Sequence, residues 1–175
     1  AIKRGYLTKN VFLDVPEVNA IAPEPEFLSV EDMEKMMTTA RDYYPKAVAY
    51  MALNAFAGIR SASCPKLAYD DISFERRGIL LQAHAAKNKR RVYLDGHEPN
   101  LWAWLEWARD NAPEGFELTK RQWDKVREQT YKKAGVKMPH NAFRHSFCTY
   151  HVALYGDAGK TATLLTHRGN VAILY

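Results

Sequence analysis

The thirteen residues PHNAFRHSFCTYH, Pro139 to His151, hold His140, Asn141, Arg144, His145 and His151. Arginine, amide and imidazole groups all donate hydrogen bonds, and free backbone N–H groups join them at a helix start, so the stretch suits a phosphate or another anion. Asn141 and Arg144 lie three apart and Arg144 and Cys148 four apart, which puts them on one helical face. Phe143, Phe147 and Tyr150 fall at i, i+4 and i+7 and mark a buried face. An amphipathic helix with a solvated polar side is an equal reading of the same pattern.

Two further groupings carry the same potential. Arg60 follows KAVAYMALNAFAG, a segment apolar nearly all round. A cation at the end of a buried helix needs an anion or carbonyls, because an unpaired buried charge is costly. Bonding to the last helical carbonyls is the plainer account. AAKNKRR places four cations in the five positions Lys87 to Arg91, a hairpin tip that would approach a phosphate backbone readily. Charge alone favours a solubilising turn there. Asp70-Asp71 is the nearest approach to a Mg²⁺-binding carboxylate cluster and reads more simply as a loop end before a strand.

The elements that must position these groups are mostly helical. Asn10 to Glu26 carries three prolines and no sustained period, as in an extended linker. Ser29 caps the next helix, with Val30, Met33, Met37 and Ala40 expected inward. Pro45 fits the first turn of a second, central helix that Gly58 stops. DDISF, GILLQAH and RRVYLD read as short strands, with Arg77-Gly78 marking a turn. Pro99 opens a helix whose apolar face is Leu101, Trp104, Leu105 and Ala108, flanked by Trp102. Thr119 caps another that ends at Gly135, with Trp123, Val126 and Thr130 inward and Lys120, Arg121, Lys125, Lys132 and Lys133 outward. The Pro139–His151 helix should end near Gly156, before DAGKTATLLTH and RGNVAILY. The fold class expected is mainly α with a small antiparallel β-sheet.

Bulk properties set the frame. A chain of 175 residues with 47% apolar and 26% charged residues suits one soluble domain plus a tail. No apolar run reaches membrane-spanning length, and AIKRGYLTKN lacks a signal-peptide core. The two cysteines, Cys64 and Cys148, indicate neither a disulfide framework nor a zinc site, and a reducing cytoplasm is the simplest setting. The charge of +5 and pI near 9.1 permit a polyanionic partner. The chain begins without methionine, so a fragment of a longer protein is expected.

Four stretches together resemble the tyrosine recombinases, or phage integrases. FAGIRSASCPKL resembles the box in which a buried helix ends in Gly-x-Arg, giving Arg60 as first catalytic arginine. AAKNKRRVYL resembles the hairpin of the catalytic lysine, with Lys87 the best match and Lys89 the substitute. NAFRHSFCTY resembles the second box, His-x-x-Arg-His-x-Phe-x-Thr, with Arg144 as second arginine. LLTHRGNVAILY resembles the closing segment, giving His167 and, as nucleophile, Tyr175 or a tyrosine beyond it. Four departures stand out: Ser63 where the family has a bracing glutamate, Asn141 where it has a histidine, Thr166 where it has a glycine, and a spacing from His167 to Tyr175 one residue short. The first two touch the orientation of Arg60 and the acid–base role at position 141.

The resemblance implies the family's catalytic-domain fold over residues 27–175, with a truncated C-terminus, and the end of a core-binding domain plus linker over residues 1–26. It implies site-specific DNA cleavage and rejoining through a 3′-phosphotyrosyl link, without metal, ATP or other cofactor. Arg60, Lys87, Asn141, Arg144, His167 and Tyr175 would form the catalytic set, with Lys89, Arg90, Arg91, His140 and His145 against double-stranded DNA. A nucleoid-associated cytoplasmic location and a synaptic tetramer of the full-length protein belong to the same expectation. Two alternatives stay open: a DNA-binding remnant that no longer cleaves, and a metal-dependent nuclease or unrelated helical DNA-binding domain.

Overall fold

The computed structural model describes residues 25–87 and 89–165. Among these residues, six α-helices and three short strands run in the order α1 (Val30–Tyr43), α2 (Val48–Phe56), β1 (Ile72–Ser73), β2 (Gly78–Leu81), β3 (Val92–Leu94), α3 (Pro99–Asn111), α4 (Lys120–Ala134), α5 (Ala142–Tyr155) and α6 (Ala158–Leu164). The mainly helical fold class with a small antiparallel sheet is therefore what the chain adopts.

Helix α2 is the central post. Every residue from Val48 to Ala55 is buried, as a helix apolar at all but Asn54 requires, and α1, α3 and α5 pack around it. Each Val, Leu or Met side chain removed from water there contributes roughly 1.5–3 kcal/mol. Pro45 opens a short 3₁₀ turn, Pro45–Ala47, that leads into α2. At its far side Tyr50 stacks on Trp123 of α4 at 5.3 Å, and its hydroxyl accepts from the Leu118 N–H at 3.1 Å. Helix α1 is capped by Ser29 Oγ, which accepts from the Asp32 N–H at 3.1 Å. Thr119 and Gln122 form a reciprocal capping box at the start of α4, and Gly135, at φ 66°, closes it.

The sheet order is β1-β2-β3, antiparallel throughout, with Ile79 opposite both Ile72 and Leu94. All three are buried, so this row seats the sheet on the helices. Residues 82–87 and 89–91, between β2 and β3, belong to a long anchored connection rather than a tight hairpin tip. Ala85 within it is buried, and its N–H donates to the Gln82 carbonyl at 3.0 Å.

Two side chains expected on buried faces, Val30 and Tyr150, are exposed, and a third, Trp104, is only partly buried against the core. Val30 is 63% exposed, because the inward stripe of α1 is Met33, Met36, Met37 and Ala40 and its first turn projects past the core. In α3 the fully buried tryptophan is Trp102, while Trp104 lines the rim of an apolar groove with Val30. Tyr150 is half-exposed and donates its hydroxyl to the Leu28 carbonyl at 2.8 Å, while Ser146 and His151 take the inward positions of α5. Periodicity finds a stripe, but neighbouring elements decide how far round the helix it is covered.

The segment ahead of α1 is strapped across α5. The Leu28 N–H donates to Ser146 Oγ at 2.8 Å, and Lys137 pairs with Glu26 at 3.4 Å. No helix among the described residues is long and apolar enough to cross a membrane.

Candidate active site

The chain turns sharply after α2. Gly58 adopts φ 61°, and a β-carbon there would lie 2.6 Å from both the Phe147 ring and Leu165. Only glycine meets both demands, since the left-handed region disfavours a side chain and the space is already filled. The turn is pinned by the Ile59 N–H on the Leu53 carbonyl at 3.1 Å and by Asn54 Nδ2 on the Ile59 carbonyl at 2.5 Å. Arg60 emerges directly from it, half-buried. Burial pushes its guanidinium below the usual arginine value.

Arg144 reaches the same turn from the first turn of α5. Its Nη1 donates to the Gly58 carbonyl, and its Nη2 donates to the Leu165 carbonyl at 2.7 Å. One guanidinium thus bridges the end of α2 and the end of α6. Burial, and then the charge of Arg60, push Arg144 downward. Arginine starts so high that both groups keep their charge at neutral pH. Two like charges held together away from water repel each other, and an anion between them relieves both costs.

The arginines line a cleft of about 600 Å³ together with His140, Asn141, His145 and Cys148. The shared face of Asn141, Arg144 and Cys148 does therefore front a cavity. Asn141 precedes α5 at φ 57°, and its side-chain Nδ2 lies 3.0 Å from His140 Nδ1. His145 has its Nδ1 3.3 Å from the Glu26 carbonyl. His151 points away from the cleft, its Nδ1 lying 2.7 Å from the Thr161 hydroxyl oxygen.

Lys87, Arg60 and Arg144 line a second, smaller crevice with Gly58 and Ser63. The loop carrying Lys87 is held there by Ser63, whose hydroxyl donates to the Ala85 carbonyl at 2.7 Å. Lys89, at φ 53°, and Arg90 and Arg91 are exposed on the same loop and are not among the lining residues of either cavity. The geometry thus brings Lys87, rather than Lys89, to the arginines. His167 and Tyr175 lie outside the described residues.

One contributor was not singled out from sequence. Arg127 of α4 lines the cleft beside Ser61, to which its Nη1 donates at 2.6 Å. The signal was the spacing of Lys120, Asp124, Arg127 and Tyr131 at i, i+4, i+7 and i+11, a polar stripe bordering the apolar one.

The Asp71 carboxylate is structural: it accepts from the Ala68 N–H and from Gln82 Nε2, each at 3.0 Å. No group of three or more His, Cys, Asp or Glu side chains able to hold a metal occurs among the described residues. Both cysteines are free thiols; burial pushes Cys64 up to about 12 and raises Cys148, which Arg144 pulls the other way.

No family model matches the sequence, and no curated protein is similar to it. Solved structures are similar in fold. XerA recombinase superposes over 99% of this chain and 64% of its own, with TM-score 0.69 and 18% identity. XerH site-specific recombinase, solved in a post-cleavage complex with a palindromic difH substrate, matches 86% of this chain and 48% of its own at TM-score 0.64 and 21% identity. Its pre-cleavage complex with difH gives 0.62 and 19% over 86% and 49%. The chain spans about half to two thirds of the length of these proteins. Over the matched part, its fold is the one these recombinases share.

Proposed function

We propose that this chain is the catalytic part of a site-specific DNA recombinase that cuts and reseals strands through a phosphotyrosyl intermediate. The observation that carries the reading is the convergence of Arg60, Lys87 and Arg144, from three separate sequence segments, on one crevice. The fold shared with recombinases, one of them captured with its difH substrate, supports it.

In this reading Arg60 and Arg144 grip the two non-bridging oxygens of one phosphodiester and stabilise the charge that builds up on them during in-line attack. The attacking tyrosine oxygen, from Tyr175 or a tyrosine after it, forms a bond to phosphorus. The arginine charges favour its phenolate, since a free tyrosine titrates near ~10. The bond from phosphorus to the 5′ oxygen breaks, and Lys87 gives that oxygen a proton. The 3′-phosphotyrosyl link keeps the bond energy, so another strand's 5′ hydroxyl reseals it without ATP. His167 adds a hydrogen bond to the phosphoryl group. Asn141, with His140 and His145, borders the bound strand, while Lys89, Arg90 and Arg91 meet the duplex outside the cleft.

The same proposal takes residues 27–175 as the catalytic domain and residues 1–26 as the end of a preceding DNA-clamping domain plus linker. Double-stranded DNA is the partner, a tetramer of the complete protein on DNA is the working assembly, and the nucleoid is the setting.

The test is a duplex carrying a nick beside the cleavage site, which traps the covalent intermediate. A protein–DNA adduct formed in EDTA by the chain extended past Tyr175 is the expected result. Cutting that EDTA abolishes would overturn the reading in favour of a nuclease. A second reading, DNA binding without cleavage, draws on Asn141, whose amide is engaged with His140 where the family carries a histidine. DNA binding with no adduct under any condition would favour it.

A further inference from the structure

The cleft is too large and too cationic for a single phosphodiester. Lys120, Arg60, Arg127 and Arg144 line it against one carboxylate, Asp124. A DNA strand carries a phosphate at every nucleotide, so cations spread along a cleft of about 600 Å³ are placed to meet neighbours of the reacting one. The proposed chemistry uses two of these cations on the reacting phosphate and leaves Lys120 and Arg127 unassigned.

Arg127 is built into place. Its guanidinium donates to Ser61 Oγ at 2.6 Å, lies 5.8 Å from the Trp123 ring centroid and sits 3.6 Å from Asp124. Asp124 in turn pairs with Lys120 at 2.5 Å. Ser61 is the decisive partner, for two reasons. It directly follows Arg60 in the chain, so the site it anchors adjoins the arginine pair. Its oxygen also accepts from Trp123 Nε1 at 2.8 Å, so both lone pairs are filled. The hydroxyl proton is then left to donate, and Ser61 lines the cleft.

We propose that Arg127, Ser61 and Lys120 form a second phosphate subsite, which takes the phosphodiester next to the reacting one and sets the path of the strand. The inference rests on DNA being the substrate, and it concerns binding rather than bond breaking. Arg127 supplies a fixed planar fork, Ser61 a directed neutral donor, and Lys120 a mobile charge at the mouth.

The experiment is fluorescence anisotropy with the full chain and a random-sequence 30-base-pair duplex, titrated between 50 and 200 mM KCl. Each neutralised phosphate contributes about 0.9 to the slope of log affinity against log salt. Arg127→Gln is expected to lower that slope by about one, and Arg127→Lys to restore it. Lys125→Gln, on the same helix but not lining the cleft, should leave it unchanged. Should Arg127→Gln fail to fold, Lys120→Gln carries the same test from an exposed position. An unchanged slope in the folded variant, or an equal loss in Lys125→Gln, overturns the subsite while leaving the arginine pair intact. Absence of DNA binding by the unsubstituted chain overturns both readings. The slope is read without cleavage, so failure to trap an adduct bears only on the proposed chemistry.

Discussion

The Ser63 hydroxyl donates to the Ala85 carbonyl at 2.7 Å, joining two loops 22 residues apart in sequence. One loop carries Arg60 and the other Lys87. Both partners are buried, so the bond fixes the proposed acid's loop against the proposed phosphate clamp. Losing it leaves a buried carbonyl without its donor, at a cost of about 1–3 kcal/mol. Ser63→Ala is therefore expected to slow adduct formation roughly tenfold while duplex affinity stays within about twofold. Single-turnover trapping beside anisotropy measures both, and equal losses in the two would sink this role.

Arg144 has two jobs that one substitution separates. Arg144→Ala removes the donor to the Gly58 and Leu165 carbonyls and should lower the thermal midpoint by several degrees, for about 1–3 kcal/mol. It should also abolish adduct formation, whereas DNA binding only weakens. Arg144→Lys keeps a charge but loses the planar fork, so it should recover binding without cleavage. A variant that cleaves at the normal rate would remove Arg144 from the chemistry.

Gly58 tolerates no side chain. In Gly58→Ala the new methyl meets Phe147 and Leu165 at 2.6 Å, and the residue must also hold φ 61°. The combined strain is expected to cost about 2–4 kcal/mol, readable as a lowered denaturation midpoint. A stability within 0.5 kcal/mol of the parent chain, roughly the scatter of surface substitutions, would contradict this packing.

His97 predicts a pH dependence. Desolvation and then the neighbouring His151 push it down to about 4, against Asp95 and Glu98, which pull it up. Its ring nitrogens find no partner among the described residues. The folded protein thus favours the neutral ring, while the unfolded chain protonates near ~6.5. Stability from this group is full above ~6.5 and declines as pH falls toward about 4, by up to ~1.4 kcal/mol per pH unit. Thermal melts at pH 7 and 4.5 should show a smaller drop in His97→Gln than in the parent. Equal drops would mean that His97 does not carry the effect.

Much of this architecture is legible in the one-dimensional chain. Ser29, Thr119, Gly135 and Gly156 mark helix ends through local chemistry, and the nearly all-apolar run of α2 announces its central place. Arg60 is marked as a charge at the end of an apolar helix, and Arg144 as an arginine beside amide and imidazole groups at a helix start. What escaped depends on packing between distant elements. Nothing near Ser63 says that its partner is Ala85, and nothing near Arg127 says that Ser61 lies across from it. The rotation of α1 and α3 that exposes Val30 and buries Trp102 is likewise set by neighbours, not by the local period.

The two carbonyls that Arg144 holds have a consequence for what the site can do when an anion arrives. A guanidinium has five N–H donors, and at least two are already given to the chain itself, one of them to Leu165 at the end of α6. Phosphate and backbone therefore compete for the same hydrogens. An incoming anion that draws Arg144 toward itself loosens its hold on α6, and tight docking of α6 restrains how far the arginine can turn. Occupancy of the cleft and the seating of α6 are two readings of a single side chain's allegiance.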